Sequence, residues 1–439
     1  MRTDKDARRG LASAIQSGLF SRGAMLVAPL LIMPAMLNYL GASAFGIWIT
    51  GISMTSIAAF LDLGIGNSLL TKLAVYHGQS DEAAARRSIG AAYRILGLVF
   101  LCSLSIFTIF IVLGYNGFVF FRPEILFADT NTILIVVVTI LFFLAGLPLS
   151  MVYRVLYAHQ QIPLHNAIQI LSAAVSIILT LWVIQLALAP WVVVAAYSVG
   201  PVIVMIAASI WYFTAYPQFR PQASDFTYGS EARGLFKLGI GHLALAIFTS
   251  VGMNSDFLLV QYVFGSDIVT AFALPSRIGS LMVMIVGTLF MPLWGFNGIA
   301  LSQKNYAMVR RNTLLMSLGG VTIVFLTGVL LTLGSDRIML LWVGQNFPDQ
   351  ALIIAMMAIF SMVIAVTSPY NMVLNAAGLV NVQILCWFGF VVISFIAKIG
   401  LMTILGPWVV PLAAAVVYAT VVSPFIIMAA LSATRGNDM

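Results

Sequence analysis

Twelve long apolar runs follow one another along this chain, at about residues 17–38, 44–68, 89–114, 131–153, 164–187, 190–213, 238–262, 268–296, 312–334, 350–373, 381–404 and 407–431. Each is long enough to cross a hydrocarbon core as a helix, which takes about 20 residues. A β-barrel needs short alternating segments instead, and these runs are continuous. Only 8% of residues are charged, against about 25% in soluble domains. The expectation is an all-α polytopic membrane protein. The connections at 38–44, 187–190 and 405–407 leave little chain outside the bilayer.

The runs are organised by a repeat. Arg86-Arg87 opens one apolar run and Arg310-Arg311 another, 224 residues later. The same offset aligns Leu40-Gly41-Ala42 with Phe264-Gly265-Ser266. Val155-Leu156-Tyr157-Ala158 then aligns with Val373-Leu374-Asn375-Ala376 at 218, so the second copy has lost about one short loop. Three landmarks in one order indicate two copies of a six-span unit, expected at residues 1–220 and 221–439. An even number of spans per copy gives both the same orientation. Such halves are related by a pseudo-two-fold axis along the membrane normal, with a substrate site at their interface.

Basic residues set the orientation. With the N-terminus in the cytoplasm, seventeen of the 21 Lys and Arg fall on that side or at its margin. Arg122 and Arg337 fall in outer loops. Both termini are expected in the cytoplasm, and MRTDKDARRG reads as a polar lead into a retained first span rather than a cleaved signal. Cys102 and Cys386 lie inside apolar runs and imply neither a disulfide nor a metal. His77, His159, His165 and His242 show no metal spacing, and His242 reads as a packing residue. No phosphate-binding Gly-rich loop with Lys-Ser/Thr is present, which argues against ATP hydrolysis. No cofactor is expected.

The stretch 39–73, YLGASAFGIWITGISMTSIAAFLDLGIGNSLLTKL, carries Leu40-Gly41, Phe45-Gly46-Ile47-Trp48 and Leu61-Asp62-Leu63-Gly64-Ile65-Gly66-Asn67. Asn254-Ser255-Asp256, Phe264-Gly265 and Ala273-Leu274-Pro275-Ser276-Arg277-Ile278 follow in the second half. These segments, with the two-times-six layout, resemble the polysaccharide (O-antigen type) flippases. Those flippases share a superfamily with multidrug extrusion transporters and lipid II flippases. The resemblance implies a flippase of the bacterial inner membrane. It would move an isoprenoid-pyrophosphate-linked glycan from the cytoplasmic to the outer leaflet by alternating access, through a cationic central cavity. The implied partners are that glycan, membrane lipids, and a polysaccharide polymerase with other glycan-assembly proteins. Nucleic acid is not among them.

A charge inside a membrane span is costly and normally faces a cavity or a partner. Five stand out: Arg22 in span one, Asp62 in span two, Asp256 in span seven, Arg277 in span eight and Lys398 in span eleven. Arg22 and Asp62 lie at similar depth near the cytoplasmic side and are candidates to pair. Asp62, beside Gly64 and Gly66, is also placed to cap or anchor a helix end. Asp256, Arg277 and Lys398 share the outer half of the second bundle. For a pyrophosphate leaving water, Arg offers a planar fork and Lys a compact charge. Arg22, Arg277 and Lys398 are therefore the expected substrate-binding residues. Asp62 and Asp256 are the expected coupling or charge-pair residues, with Asp256 either an ion site or a fixed partner of Lys398 or Arg277. Against these stand blander readings. Arg22 and Lys398 lie near enough to span ends to snorkel. The repeated Arg pairs read as topology signals that meet anionic lipid headgroups.

Two rivals remain at the level of sequence. A proton- or sodium-coupled multidrug exporter of the same fold would favour converging acids. The first bundle offers one, Asp62, while deep cations are present. A membrane glycosyltransferase or polymerase would need a sizeable outer loop bearing acids or His. The largest outer loop, 115–130, carries only Arg122, Glu124 and Asp129.

Overall fold

The computed structural model describes residues 4–79, 81–115, 130–159, 161–222, 225, 229–302, 304–377 and 379–434. Within helices, side chains are described except at 4–27, 67, 71, 74–75, 77–79, 114–115, 162, 230, 237–242, 285, 287–300, 302, 376 and 380. Among the described residues every regular element is helical. By packing, the chain divides into two compact units, Met1–Ala246 and Ile247–Met439.

Unit one opens with α1, Asp4–Ile57, broken at Gly41 (φ 75°, ψ 169°). That conformation is essentially restricted to glycine, so Gly41 lets two helices meet with no loop between them. The second arm closes in a 3-10 turn, Ala58–Asp62. There follow α2 (Ile65–Gln79), α3 (Glu82–Tyr115), α4 (Thr130–Leu149), α5 (Met151–Ala158), α6 (Ile162–Gln185) and α7 (Pro190–Ala215). α4 and α5 form one span with a turn at Ser150, just after Pro148. Span two, drawn to residue 68 from sequence, ends instead at Asp62. Leu63 is left-handed and Gly64 also has positive φ, which stops the helix. Where α2, α3 and α5 meet, Ile65, Leu69, Ile89, Leu96, Val152 and Leu156 form a buried core.

The next helix, α8 (Gly229–Asn254), crosses from unit one into unit two. α9 (Asp256–Phe264) continues it with a bend of 46°. Gly265 (φ 85°, ψ 179°) then joins α9 to α10, Ser266–Ser302. The remainder is α11 (Tyr306–Leu333), α12 (Ser335–Val343), α13 (Gln350–Ala376), α14 (Val380–Leu405), α15 (Val409–Val417), a π turn at Tyr418–Val422 and α16 (Ser423–Ala433). Close packing rests on small residues, as is usual in membrane bundles. A methyl added to Gly279 would sit 2.5 Å from Met357 Cβ, and one on Gly328 2.7 Å from Ala358 Cβ.

The repeat is written in the backbone. α3 and α11 start 224 residues apart, and Gly41 and Gly265 share nearly the same torsions. α5 and α13 end 218 residues apart, and α6 and α14 start 218 apart. Among the described residues ten helices are long and apolar enough to cross a membrane, and the bent pair α8–α9 makes eleven. One of the ten, Ala28–Asp62, contains the Gly41 break; its two arms are the first two of the twelve spans read from the sequence. Large apolar side chains such as Ile106, Leu330 and Ile396 point outward, as lipid contact requires. Buried hydroxyls return to their own helix, as Thr180 does by donating to the Ser176 carbonyl at 2.7 Å.

Candidate functional site

In unit two Asp256, Lys398 and Arg277 lie about the start of α9. Asp256 is its first residue, where a carboxylate is favoured by the unpaired N–H groups of the helix start. Lys398, seven residues before the end of α14, donates from Nζ to Asp256 Oδ1 at 2.5 Å. The lysine side chain is 1% exposed and the aspartate 22%. Its ammonium also lies 5.8 Å from the centre of the Phe390 ring. Gly252, one turn before the bend, makes this approach possible, because a methyl there would meet the Phe390 ring at 3.0 Å. Lys398 therefore does not snorkel: its charge is held inside unit two by a carboxylate. Arg277, on α10, places its guanidinium 6.0 Å from the ring centre of Phe257, the residue after Asp256. Phe257 in turn meets Phe272 edge-on at 5.8 Å. By the 224 and 218 offsets, the counterparts of Asp256, Arg277 and Lys398 in unit one are Ile32, Ser53 and Thr180. These three charges thus belong to the second copy and were added to, or lost from, a shared backbone.

In unit one Asp62 accepts the backbone N–H of Gly66 at 3.0 Å, so it caps the first turn of α2. A methyl at Gly66 would sit 2.7 Å from Arg154 Nε and 2.9 Å from Asp62 Oδ2. The glycine leaves room for both charged groups. The side chain of Arg22 lies outside the described residues, and with it the pairing of Arg22 and Asp62.

A third charged group, unforeseen from sequence, secures the connection after α7. Arg86 Nε pairs with Asp225 Oδ2 at 2.9 Å, and Asp225 is 2% exposed. Asp225 also accepts the Gln222 N–H at 2.8 Å. Lys72 pairs with Glu231 at 2.6 Å, and Ser88 donates to the same carboxylate at 2.9 Å. Burial pushes the Glu231 carboxyl up, but the hydrogen bonds from Lys72, Ser88 and Tyr76 and the Lys72 charge outweigh it, so the group sits below its ordinary range. In the second copy Arg310, the counterpart of Arg86, donates to the Thr434 carbonyl at the end of α16, at 2.8 Å. In each copy the first arginine of the pair ties the start of the third span to chain just beyond the sixth. The first turns of α8 are held on unit one through Glu231. That is why packing divides the chain inside α8, whereas counting spans divides it at 220/221. The sequence signal was available: Asp225 and Glu231 are the acids of a connection that faces basic residues of the same side.

Among the described residues no group of three or more His, Cys, Asp or Glu is placed to hold a metal ion. The family model described as "Polysaccharide biosynthesis protein" matches residues 13–295, more than half of the chain. The chain belongs to that family. Among solved structures, this family member is similar to a multidrug resistance MATE family transporter of the MOP superfamily in an inward-facing conformation. The TM-score is 0.74 at 13% identity, over 93% of this chain and 96% of that one. It is similar also to a MOP superfamily transporter from Pyrococcus furiosus (TM-score 0.67, 12% identity, 97% and 96% covered). A third is the Vibrio cholerae MATE transporter VcmN in its bent form (TM-score 0.61, 14% identity, 97% and 98% covered). These likenesses establish the fold. No curated protein matches the sequence. The chain is a multi-pass membrane protein of the polysaccharide biosynthesis family with the fold of the MOP superfamily transporters.

Proposed function

We propose that this family member is a flippase of the bacterial inner membrane, with both termini cytoplasmic. It moves a polyprenyl-pyrophosphate-linked oligosaccharide from the cytoplasmic to the outer leaflet by alternating access. The observation that carries the reading is Lys398, a buried ammonium whose partner is a single carboxylate at a helix bend. Bends of this kind are where transporters of related design place their sites. A pyrophosphate competes with Asp256 for that ammonium, and Arg277 beside Phe257 adds a multi-donor fork. A proton or cation on Asp256 favours the exchange. The Pyrococcus furiosus neighbour is described as having a binding pocket of reverse polarity that suggests a different function, and a buried cation fits a departure of that kind. The membrane potential, positive outside, assists an anionic headgroup by about 2.3 kcal/mol per charge per 100 mV. The partners on this reading are the lipid-linked glycan, membrane lipids and a polymerase that uses the product.

The test is translocation of a polyprenyl-pyrophosphate-oligosaccharide in proteoliposomes. Movement that requires the protein and is lost in Arg277→Ala supports the reading and its site. Ion-coupled efflux of small cations, with no movement of the lipid-linked glycan, replaces it with a multidrug exporter.

A further inference from the structure

We infer that unit one carries a neutral saccharide subsite, lined by Trp48, Tyr153, Gln169, Ser172 and Tyr197. The inference rests on the proposed lipid-linked glycan as substrate and assigns its sugar portion to a place. Two adjoining cavities of about 240 and 350 Å³ open inside this unit, and Tyr197, Pro201 and Met205 line both. The larger alone reaches the range of about 300–1,000 Å³ usual for small-molecule sites. Among the described residues, none that lines either cavity is charged. The walls combine aromatic rings with neutral hydrogen-bonding groups, which suits sugar hydroxyls and the apolar faces of sugar rings. They do not suit a pyrophosphate or a small cation, which call for opposite charge.

Trp48 supplies the sharper evidence. It is 1% exposed and packed edge-on against Tyr197 at 5.3 Å. Its Nε1–H is buried and has no hydrogen-bond partner among the described residues. A buried donor without an acceptor costs about 1–3 kcal/mol, and such groups demand an explanation. Trp48 lines the larger cavity, and a small shift of the side chains around Nε1 on binding would let a ligand's acceptor satisfy it. On the wall of the smaller cavity Tyr153 and Ser172 exchange a hydroxyl contact at 3.3 Å, and Gln169 adds an amide with both donors and acceptors.

The repeat shows that this space is not a by-product of the fold. At the 218 offset, Gln169 and Ser172 correspond to Trp387 and Phe390 in unit two. Those two rings meet edge-on at 5.4 Å, and both pack against Tyr418. The second copy fills with aromatic rings what the first leaves open with small polar groups. At these positions the first copy carries polar groups beside a cavity and the second carries packed aromatic rings.

The test compares two ligands on the full-length protein in nanodiscs: the lipid-linked oligosaccharide extracted from the source cells, and polyprenyl pyrophosphate without sugar. The readout is the ratio of their affinities. The wild type is expected to prefer the glycosylated lipid. Trp48→Phe, which keeps a ring and deletes the N–H, is expected to lower that ratio about three- to tenfold, the worth of one hydrogen bond. Gln169→Met, at a half-buried position, is expected to act in the same direction and decides the matter if Trp48→Phe does not fold. Equal affinity of the wild type for both lipids, or an unchanged ratio in the folded variants, overturns the subsite and leaves the pyrophosphate reading standing. Binding of neither lipid overturns the flippase reading itself.

Discussion

Replacing Asp256 with asparagine removes the charged partner of an ammonium that is 1% exposed. Breaking a buried pair from one side costs about 3–5 kcal/mol, because the other charge is left uncompensated, whereas exchanging both charges for neutral groups is near neutral. The two partners are not equivalent. Lys398 bears the full penalty of an unpaired charge, while Asp256, 22% exposed, retains part of its hydration. Asp256→Asn is therefore expected to lose about 3–5 kcal/mol, and Lys398→Met about 1–3 kcal/mol. The double variant is expected within about 1 kcal/mol of wild type. For a unit of this size each kcal/mol moves the melting midpoint by about 2–4 °C, so Asp256→Asn stands out in a thermal scan of purified protein in detergent. Lys398→Met as damaging as Asp256→Asn, or a double variant no better than the worse single, would refute the asymmetry and the pairing. Transport separates structure from function: the double variant is expected to be stable and inactive in translocation. Full activity would reduce the pair to a packing device.

Gly41→Ala and Gly265→Ala are each expected to lower stability by about 1–3 kcal/mol through backbone strain alone, since nothing lies within 4 Å of an added methyl at either site; melting of the two single variants and the double checks whether the losses add. Arg86→Ala strands Asp225, 2% exposed, and is expected to cost about 3 kcal/mol and to speed proteolysis at residues 216–230, while Arg310→Ala, which loses one bond to a carbonyl, costs about 1–2 kcal/mol. Glu231 binds its proton less readily in the folded protein than in the unfolded chain, so its contribution is present above the ordinary carboxylate range and is lost as pH falls through its lowered folded value. Hydrogen exchange at the start of α8 should therefore rise in acid for wild type, and Glu231→Gln should remove that dependence.

Long continuous apolar runs and the recurrence of Gly41 and Gly265 made the spans and the duplication legible in the sequence, because a bilayer forces both length and helix. Helix ends were less legible. The stop after Asp62 depends on the left-handed Leu63, a residue type that carries no such signal. α2 and α12 went unread because they are too short to span a membrane. In the charged set, Asp256 and Lys398 were recognisable as costly residues and as one of the pairings open to Asp256, and the choice of Lys398 over Arg277 needed three-dimensional placement. The Arg86–Asp225 clamp was hidden for a different reason. A basic pair at a span start already has a sufficient explanation in topology, and Asp225 and Glu231, the acids that pointed to another, lie in a polar connection where charge is expected anyway. The neutral cleft of unit one left no charge or motif to find. Serines and a glutamine inside apolar helices become informative only when a cavity opens beside them.

The clamp on the connection also bears on how the protein is made. Its two contacts lie wholly within unit one, yet they join residues 72 and 86 to residues 231 and 225. The first to close, Arg86 with Asp225, must wait until the ribosome has passed position 225, and Lys72 with Glu231 until it has passed 231. Once it has, every partner of the clamp exists, while about 200 residues are still to be synthesised. At roughly 5–20 residues per second, that leaves on the order of 10–40 seconds in which the first bundle can seal itself. α10 to α16 then enter the bilayer after the first bundle has closed, and the homologous helices of the two copies have less opportunity to exchange places during biogenesis.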